Sequence, residues 1–231
     1  MPASAYNGFP RVAAVRPPPG VVVFKVLHME DSAEKQRLAN VVRQLMASAS
    51  AFYSKGKPSV GASDEDGVRY LHFGTPWIQG AMRLDRPDEL EVEYVQQMMM
   101  WTLFNEAPTH ICQLGLGAAS LTRFCHLHFP QAHVTAVEIN EEVIQVCREK
   151  FMLPPNNDRL HVMLGDAMEY VSNPANHGTL DILQVDLYDA QAHGPALGSP
   201  KFYGSCAACL QPDGIMSVKL FCYYPEHNDH L

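Results

Sequence analysis

Ile111-Cys112-Gln113-Leu114-Gly115-Leu116-Gly117-Ala118-Ala119-Ser120-Leu121 is the stretch whose reading decides the fold. A short run suited to a buried strand enters a Gly-x-Gly turn, and a helix begins almost at once. That arrangement brings backbone N–H groups and a helix N-terminus up to a ligand. Many α/β crossings need glycines only to turn the chain, so the flanking sequence decides what the turn means.

Toward the C-terminus the pattern alternates strand and helix, the signature of an open parallel α/β sheet of Rossmann-like type. The spacing predicts strand Ile111–Leu114, helix Ser120–His128, strand Val134–Glu138 and helix Glu141–Phe151. Strand Leu160–Leu164, helix Ala167–Val171 and strand Leu180–Asp186 come next. A loop Leu187–Ser199, helix Pro200–Leu210 and strand Gly214–Phe221 complete it. Right-handed crossovers place the carboxyl ends of these strands on one edge, where such sheets bind ligands.

Toward the N-terminus the chain changes character. Met1–Gly20 holds Pro17-Pro18-Pro19-Gly20 and few large apolar residues, a composition that predicts disorder. Val21–Leu27 reads as a strand and about Ser32–Tyr53 as a helix, followed by a polar linker Ser54–Gly67. Val68–Phe73 and Trp77–Met82 read as a small antiparallel hairpin, and Glu89–Phe104 as a helix carrying Tyr94 and Trp101. The expected division is an extension over 1–57, a hairpin-plus-helix unit over 58–104 and a ligand-binding α/β domain over 105–231.

Composition narrows the class of function. Apolar content of 47% with 18% charged residues is that of a globular protein. A net charge of −8 argues against a general nucleic-acid binder. No apolar run reaches the ~20 residues of a membrane span, so no membrane partner is expected. Six cysteines lack any framework spacing, which predicts reduced thiols in a cytoplasmic protein. Cys206-x-x-Cys209 has no partner pair and reads as core packing, and no metal site is expected.

The chemistry gathers at the strand tips. Glu138 ends the second strand of the alternating region, 21 residues beyond Gly117, where an acid accepts hydrogen bonds from ribose hydroxyls. It also belongs to an acidic helix start with Glu141 and Glu142, which a helix dipole favours by itself. In Gly165-Asp166-Ala167, Asp166 can accept from an adenine amino group, cap the next helix, or do both. The third glycine of a dinucleotide fingerprint is missing near Ser120, and no phosphate-binding basic residue follows the turn. Gly115, Gly117, Glu138, Asp166 and Ala167 therefore suit adenosine held through a sulfur-bearing end, an S-adenosyl ligand.

The next segment is the most specific. Gln184-Val185-Asp186-Leu187-Tyr188-Asp189 carries two carboxylates off the fourth strand of that region, although either could merely end a strand or start a turn. With Gly194-Pro195-Ala196, Phe202-Tyr203 and Leu210-Gln211-Pro212-Asp213-Gly214, it resembles the spermidine synthase family of polyamine aminopropyltransferases. The resemblance runs from about Val68 to Cys222 and implies a methyltransferase-like fold. It implies aminopropyl transfer from decarboxylated S-adenosylmethionine to a diamine such as putrescine. Asp186 would accept the amine proton or align the amine, and Asp189 would hold the diamine cation. Such an ion pair is worth about 4 kcal/mol at an effective dielectric of 20, before desolvation. Gln79 and Tyr94 match the family's substrate-contacting Gln and Tyr.

Three positions depart from the family pattern. The acid that holds the aminopropyl ammonium is Ala118 here, and the His and Glu of the family's Tyr-His-Glu-Met are Val95 and Gln96. Ala118 admits an alternative, a methyltransferase using ordinary S-adenosylmethionine. Nine residues follow Cys222, fewer than a closing helix and strand pair need, which predicts a truncated end with that pair missing. The open fifth strand would invite a second copy, making a homodimer. A non-catalytic nucleoside-binding relative is the third reading.

Overall fold

The computed structural model describes residues 60–74, 78–188 and 199–219. Asp189 and the expectations placed on 1–57 fall outside these residues, as do Trp77, Gly194-Pro195-Ala196 and the chain beyond Lys219.

Three short strands come first: β1 (Gly61–Glu65), β2 (Val68–His72) and β3 (Ile78–Arg83), forming an antiparallel sheet in that order. β1 corrects the expected linker. The tight turn between β1 and β2 is Asp66-Gly67, with φ of 48° and 78°, the paired left-handed geometry of a two-residue hairpin. Helix α1 (Glu93–Met98) and a 3₁₀ turn (Met100–Leu103) follow, replacing the single long helix predicted over Glu89–Phe104. Val92 at the α1 N-cap supplies no side-chain hydrogen bond, so nothing favours an earlier start.

The larger sheet holds β4 (His110–Leu114), β5 (His133–Glu138), β6 (Leu160–Leu164), β7 (Leu180–Val185) and β8 (Leu210–Val218). Its order is β6-β5-β4-β7-β8 and every pairing is parallel. Between the strands run α2 (Ser120–His128), α3 (Glu141–Lys150), α4 (Ala167–Ser172) and α5 (Pro200–Cys209). β8 begins four residues before the expected Gly214, because Leu210 already pairs with Leu180 and a register shift absorbs the Pro-Asp-Gly segment.

Period-2 alternation splits the buried residues between two faces. Ile111, Val134, Ala136, Ile182 and Ile215 pack with Leu121, Cys125, Val143 and the α1 residues on one side. Cys112, Leu114, Val137, Leu183, Val185 and Met216 pack with Val171, Phe202, Cys206 and Cys209 on the other. The Cys206–Cys209 pair is thus core, as its spacing suggested.

One buried row is polar: Gln113, Gln184 and Ser217 lie side by side across β4, β7 and β8. Thr122 donates to Gln113, and the Ser217 hydroxyl donates to the Met98 carbonyl at 3.0 Å. Gln184 Nε2 approaches Met99 Sδ at 3.3 Å. A buried polar group is costly unless paired, so this row pins α2 and the α1 turn to the sheet. The N-terminal hairpin docks on the same side. A methyl on Gly80 would stand 2.6 Å from Ala118 Cβ, so strand and turn meet backbone to backbone.

Candidate active site

Strand order reverses between β4 and β7, and the crevice above their carboxyl ends is where such sheets bind ligands. Gly115 leaves the tip of β4 with φ 86°, donating to the Val137 carbonyl at 2.9 Å. A side chain there would run into the carbonyl oxygen of Asp186, which leaves the tip of β7. Gly117 and Ala119 also take left-handed φ, 52° and 57°, so the turn curls tightly before α2. The Gln79 carbonyl oxygen closes over it, 3.3 Å from where a methyl on Gly117 would be. Cys147 Sγ donates to the Gly117 carbonyl at 3.1 Å.

Glu138 lies at the tip of β5, 8% exposed. Leu116 N–H donates to its Oε2 at 2.9 Å and Asn140 N–H to its Oε1 at 3.0 Å. The turn and the acid are therefore one hydrogen-bonded unit, and each carboxylate oxygen keeps acceptor capacity for a ligand. Burial pushes the Glu138 carboxyl above its ordinary range, opposed by hydrogen bonds from backbone N–H groups. Acidification therefore neutralises it before an ordinary glutamate. The affinity for an adenosine ligand that donates to this carboxylate is expected to fall as the pH drops through that raised titration, with the plateau on the alkaline side. Calorimetry across a pH series checks it. A loss that begins only below the usual glutamate range would show that Glu138 does not hold the ligand.

The Gly165 N–H donates to the Glu138 carbonyl at 2.9 Å, placing the β6 tip beside that of β5. Asp166 caps α4, its Oδ1 accepting from Met168 N at 2.7 Å and Glu169 N at 3.1 Å. Both readings of Asp166 stay compatible, since the second oxygen is not used in the cap. Ala167 opens α4. Ile139, 70% exposed, and Leu164, 54% exposed, stand beside these acids. They supply apolar surface of the kind a flat base needs, and no motif in the sequence marks either. A groove of about 500 Å³ runs from Leu164-Gly165-Asp166 past Tyr170 to Asn176.

The other half of the site centres on Asp186. Its amide donates to the Leu114 carbonyl at 2.9 Å, which fixes the residue against the glycine turn. Tyr94 reaches it from α1. Burial, then the charge of Asp186 and a hydrogen bond to it, raise the Tyr94 phenol well above its ordinary value, so Tyr94 is a protonated donor. Lys219, one residue past β8, forms an ion pair with Asp186, Nζ to Oδ1 at 3.0 Å. Nothing in the reading of the sequence singled out Lys219. Its signal was a lone charge in the apolar run Ile215–Cys222, in register with the tip of β7.

Gly115, Gly117, Glu138, Asp186, Tyr94 and Gln79 are thus brought together, with Asp166 and Ala167 one strand away. Burial pushes the thiols of Cys112, Cys147 and Cys206 up to about 12, too high for a thiolate nucleophile at neutral pH. Among the described residues no group of three His, Cys, Asp or Glu could hold a metal, and no helix is long and apolar enough to cross a membrane.

A parallel sheet in this order, with a glycine turn at the switch point and acids on the neighbouring tips, defines an α/β domain of methyltransferase-type fold. Within that class, residues 92–228 match the spermine/spermidine synthase domain, more than half of the 231-residue chain. The chain belongs to that family. It is 38% identical over 161 residues to the polyamine aminopropyltransferase of Neisseria meningitidis serogroup B, covering 69% of this chain and 60% of that one. Identity to the polyamine aminopropyltransferase of Chromobacterium violaceum is 37% over 158 residues, covering 68% and 60%. The chain therefore spans about 60% of the length of these curated relatives. A probable spermidine synthase from Corynebacterium glutamicum shares the fold, with a TM-score of 0.59 at 19% identity over 68% of this chain and 59% of that one.

Proposed function

We propose that the protein is an aminopropyltransferase that moves an aminopropyl group from decarboxylated S-adenosylmethionine to a diamine such as putrescine. The observation that carries this reading is the placement of Asp186. It stands at the β7 tip, against the Gly115 turn on one side and Tyr94 on the other. A nucleoside seated by the turn, Glu138 and Asp166 would put its sulfonium near that carboxylate.

The reaction is an in-line displacement. The amine nitrogen attacks the methylene carbon beside the sulfonium, a C–N bond forms as the C–S bond breaks, and the electron pair passes to sulfur as a neutral thioether. A free amine titrates near ~10, so the nucleophile must shed a proton, and Asp186 accepts it or aligns the nitrogen that loses it. Tyr94, held protonated, orients Asp186. Gln79 and Asp189 are assigned to the diamine, and Gly115, Gly117, Glu138, Asp166 and Ala167 to the adenosine. We divide the chain into a hairpin-plus-helix unit over 58–104 and a ligand-binding α/β domain over 105–231, a division that leaves the Gln79 carbonyl of the first unit beside the Gly117 turn of the second. Five free cysteines among the described residues support a reducing, cytoplasmic setting.

Calorimetric titration with the decarboxylated and the ordinary nucleoside tests the reading. Tighter binding of the decarboxylated form is expected. Preference for the carboxylated form would make the chain a methyltransferase, an outcome that Ala118 permits because it places no acid against a ligand carboxylate. Binding of neither would remove both.

A further inference from the structure

The surroundings of Lys219 describe a receptor for a primary ammonium that the chain fills itself. Nζ lies 3.0 Å from Asp186 Oδ1, and the two side chains are only 12% and 16% exposed. It stands 3.9 Å from the centroid of the Tyr94 ring and 4.7 Å from that of Tyr188. Two aromatic faces and a carboxylate around one nitrogen are what an alkylammonium ligand requires. The cage is built in: the Tyr188 hydroxyl donates to the Lys219 carbonyl at 2.8 Å, and the Lys219 amide donates to the Val185 carbonyl at 3.0 Å. Tyr188 and Lys219 are therefore set by the same strand tips that hold Asp186, and Tyr94 closes the cage from α1.

A lysine side chain is a primary amine on four methylenes, the same chemistry as one end of a straight-chain diamine. An ammonium that settles between Tyr94, Tyr188 and Asp186 must compete with this one for the same carboxylate. We propose that Lys219 is a resident occupant of the acceptor-amine site, which a diamine must displace from Asp186 before it can be aligned for transfer. Lys219 thereby governs how strongly the pocket takes amines. This rests on the aminopropyltransferase reading of the site and adds to it a residue that sets acceptor affinity.

The expected size follows from occupancy. If the cage is free about a tenth of the time, the apparent affinity for an external amine is about tenfold below its intrinsic value. Titration of 1,4-diaminobutane into the full chain and into Lys219→Met and Lys219→Gln reads this directly. Both variants are expected to bind the diamine about tenfold or more tightly than the parent. A purely structural ion pair predicts the reverse, since losing Lys219 would leave Asp186 less well ordered. Diamine affinity equal to or below that of the parent overturns the proposal.

A second measurement needs no variant. Saturating 1,4-diaminobutane should raise acetylation of Lys219 severalfold relative to exposed Lys150 and Lys201, mapped by peptide mass spectrometry, the ratio correcting for reagent that the diamine consumes. No change in that ratio overturns the proposal even if neither variant folds. Failure here is distinct from failure of the functional reading, which falls if the parent chain prefers the carboxylated nucleoside, binds neither form or transfers no aminopropyl group.

Discussion

Asp186→Asn is expected to lower aminopropyl transfer by about 10²–10⁴-fold, the usual contribution of a positioned general base, while nucleoside affinity stays within about threefold. The amide keeps the side chain's shape and can still accept from Tyr94, but it cannot take a proton. The proposed nucleoside contacts lie on β4, β5 and β6, so its binding is expected to be spared. The same change removes the carboxylate that pairs with Lys219 Nζ at 3.0 Å. A pair this far out of solvent lies between the surface value of about 0–1 kcal/mol and the fully buried value of about 3–5 kcal/mol. The variant should therefore fold with a measurable loss of stability, which denaturant unfolding separates from the loss of chemistry. Turnover retained at the parent rate would remove Asp186 from its proposed role.

Gly115→Ala should be more damaging still, and for both stability and binding. At φ 86° the residue sits where L side chains are strained, at a cost of roughly 1–2 kcal/mol. The added methyl also meets the Asp186 carbonyl oxygen, so the β4 and β7 tips must part, and overpacking of this kind costs roughly 1–3 kcal/mol. Together these give about 2–5 kcal/mol of destabilisation. Parting the tips also displaces Leu116, whose N–H holds Glu138, so nucleoside binding should be lost. Gly61→Ala is the control, because nothing lies within 4 Å of the added methyl. Equal unfolding midpoints for the two variants would show that the turn is not the tight junction described.

The α/β half was legible because its signals agree with one another. Helix Ser120–His128 lies between a glycine turn and Pro130, and strand Leu160–Leu164 is bounded by Asp158 and Gly165, so both fall where the pattern put them. β1 was missed because Gly61-Ala62-Ser63-Asp64-Glu65 has no β-branched or aromatic residue, and its pairing with β2 supplies what propensity lacks. The Asp66-Gly67 turn was the available clue. β8 was started late because Pro212-Asp213-Gly214 reads as a turn, whereas the strand accommodates it as an irregularity.

The site divides the same way. Gly115, Glu138 and Asp186 were visible because strand tips follow from spacing. Lys219 was not, since only the register of β8 against β7 brings a residue 33 positions from Asp186 to its carboxylate. Ala118 also gains meaning from the structure. Its methyl is buried against Gly80, so that position packs the hairpin onto the turn.

Aminopropyl transfer at Asp186 is tested most directly by its products. The full chain is incubated with decarboxylated S-adenosylmethionine and 1,4-diaminobutane, and the amine products are identified by mass spectrometry. The mono-aminopropylated diamine is expected together with the released thioether nucleoside, both formed about 10²–10⁴-fold more slowly with Asp186→Asn. No aminopropylated amine from the parent chain under conditions where the decarboxylated nucleoside binds would contradict it.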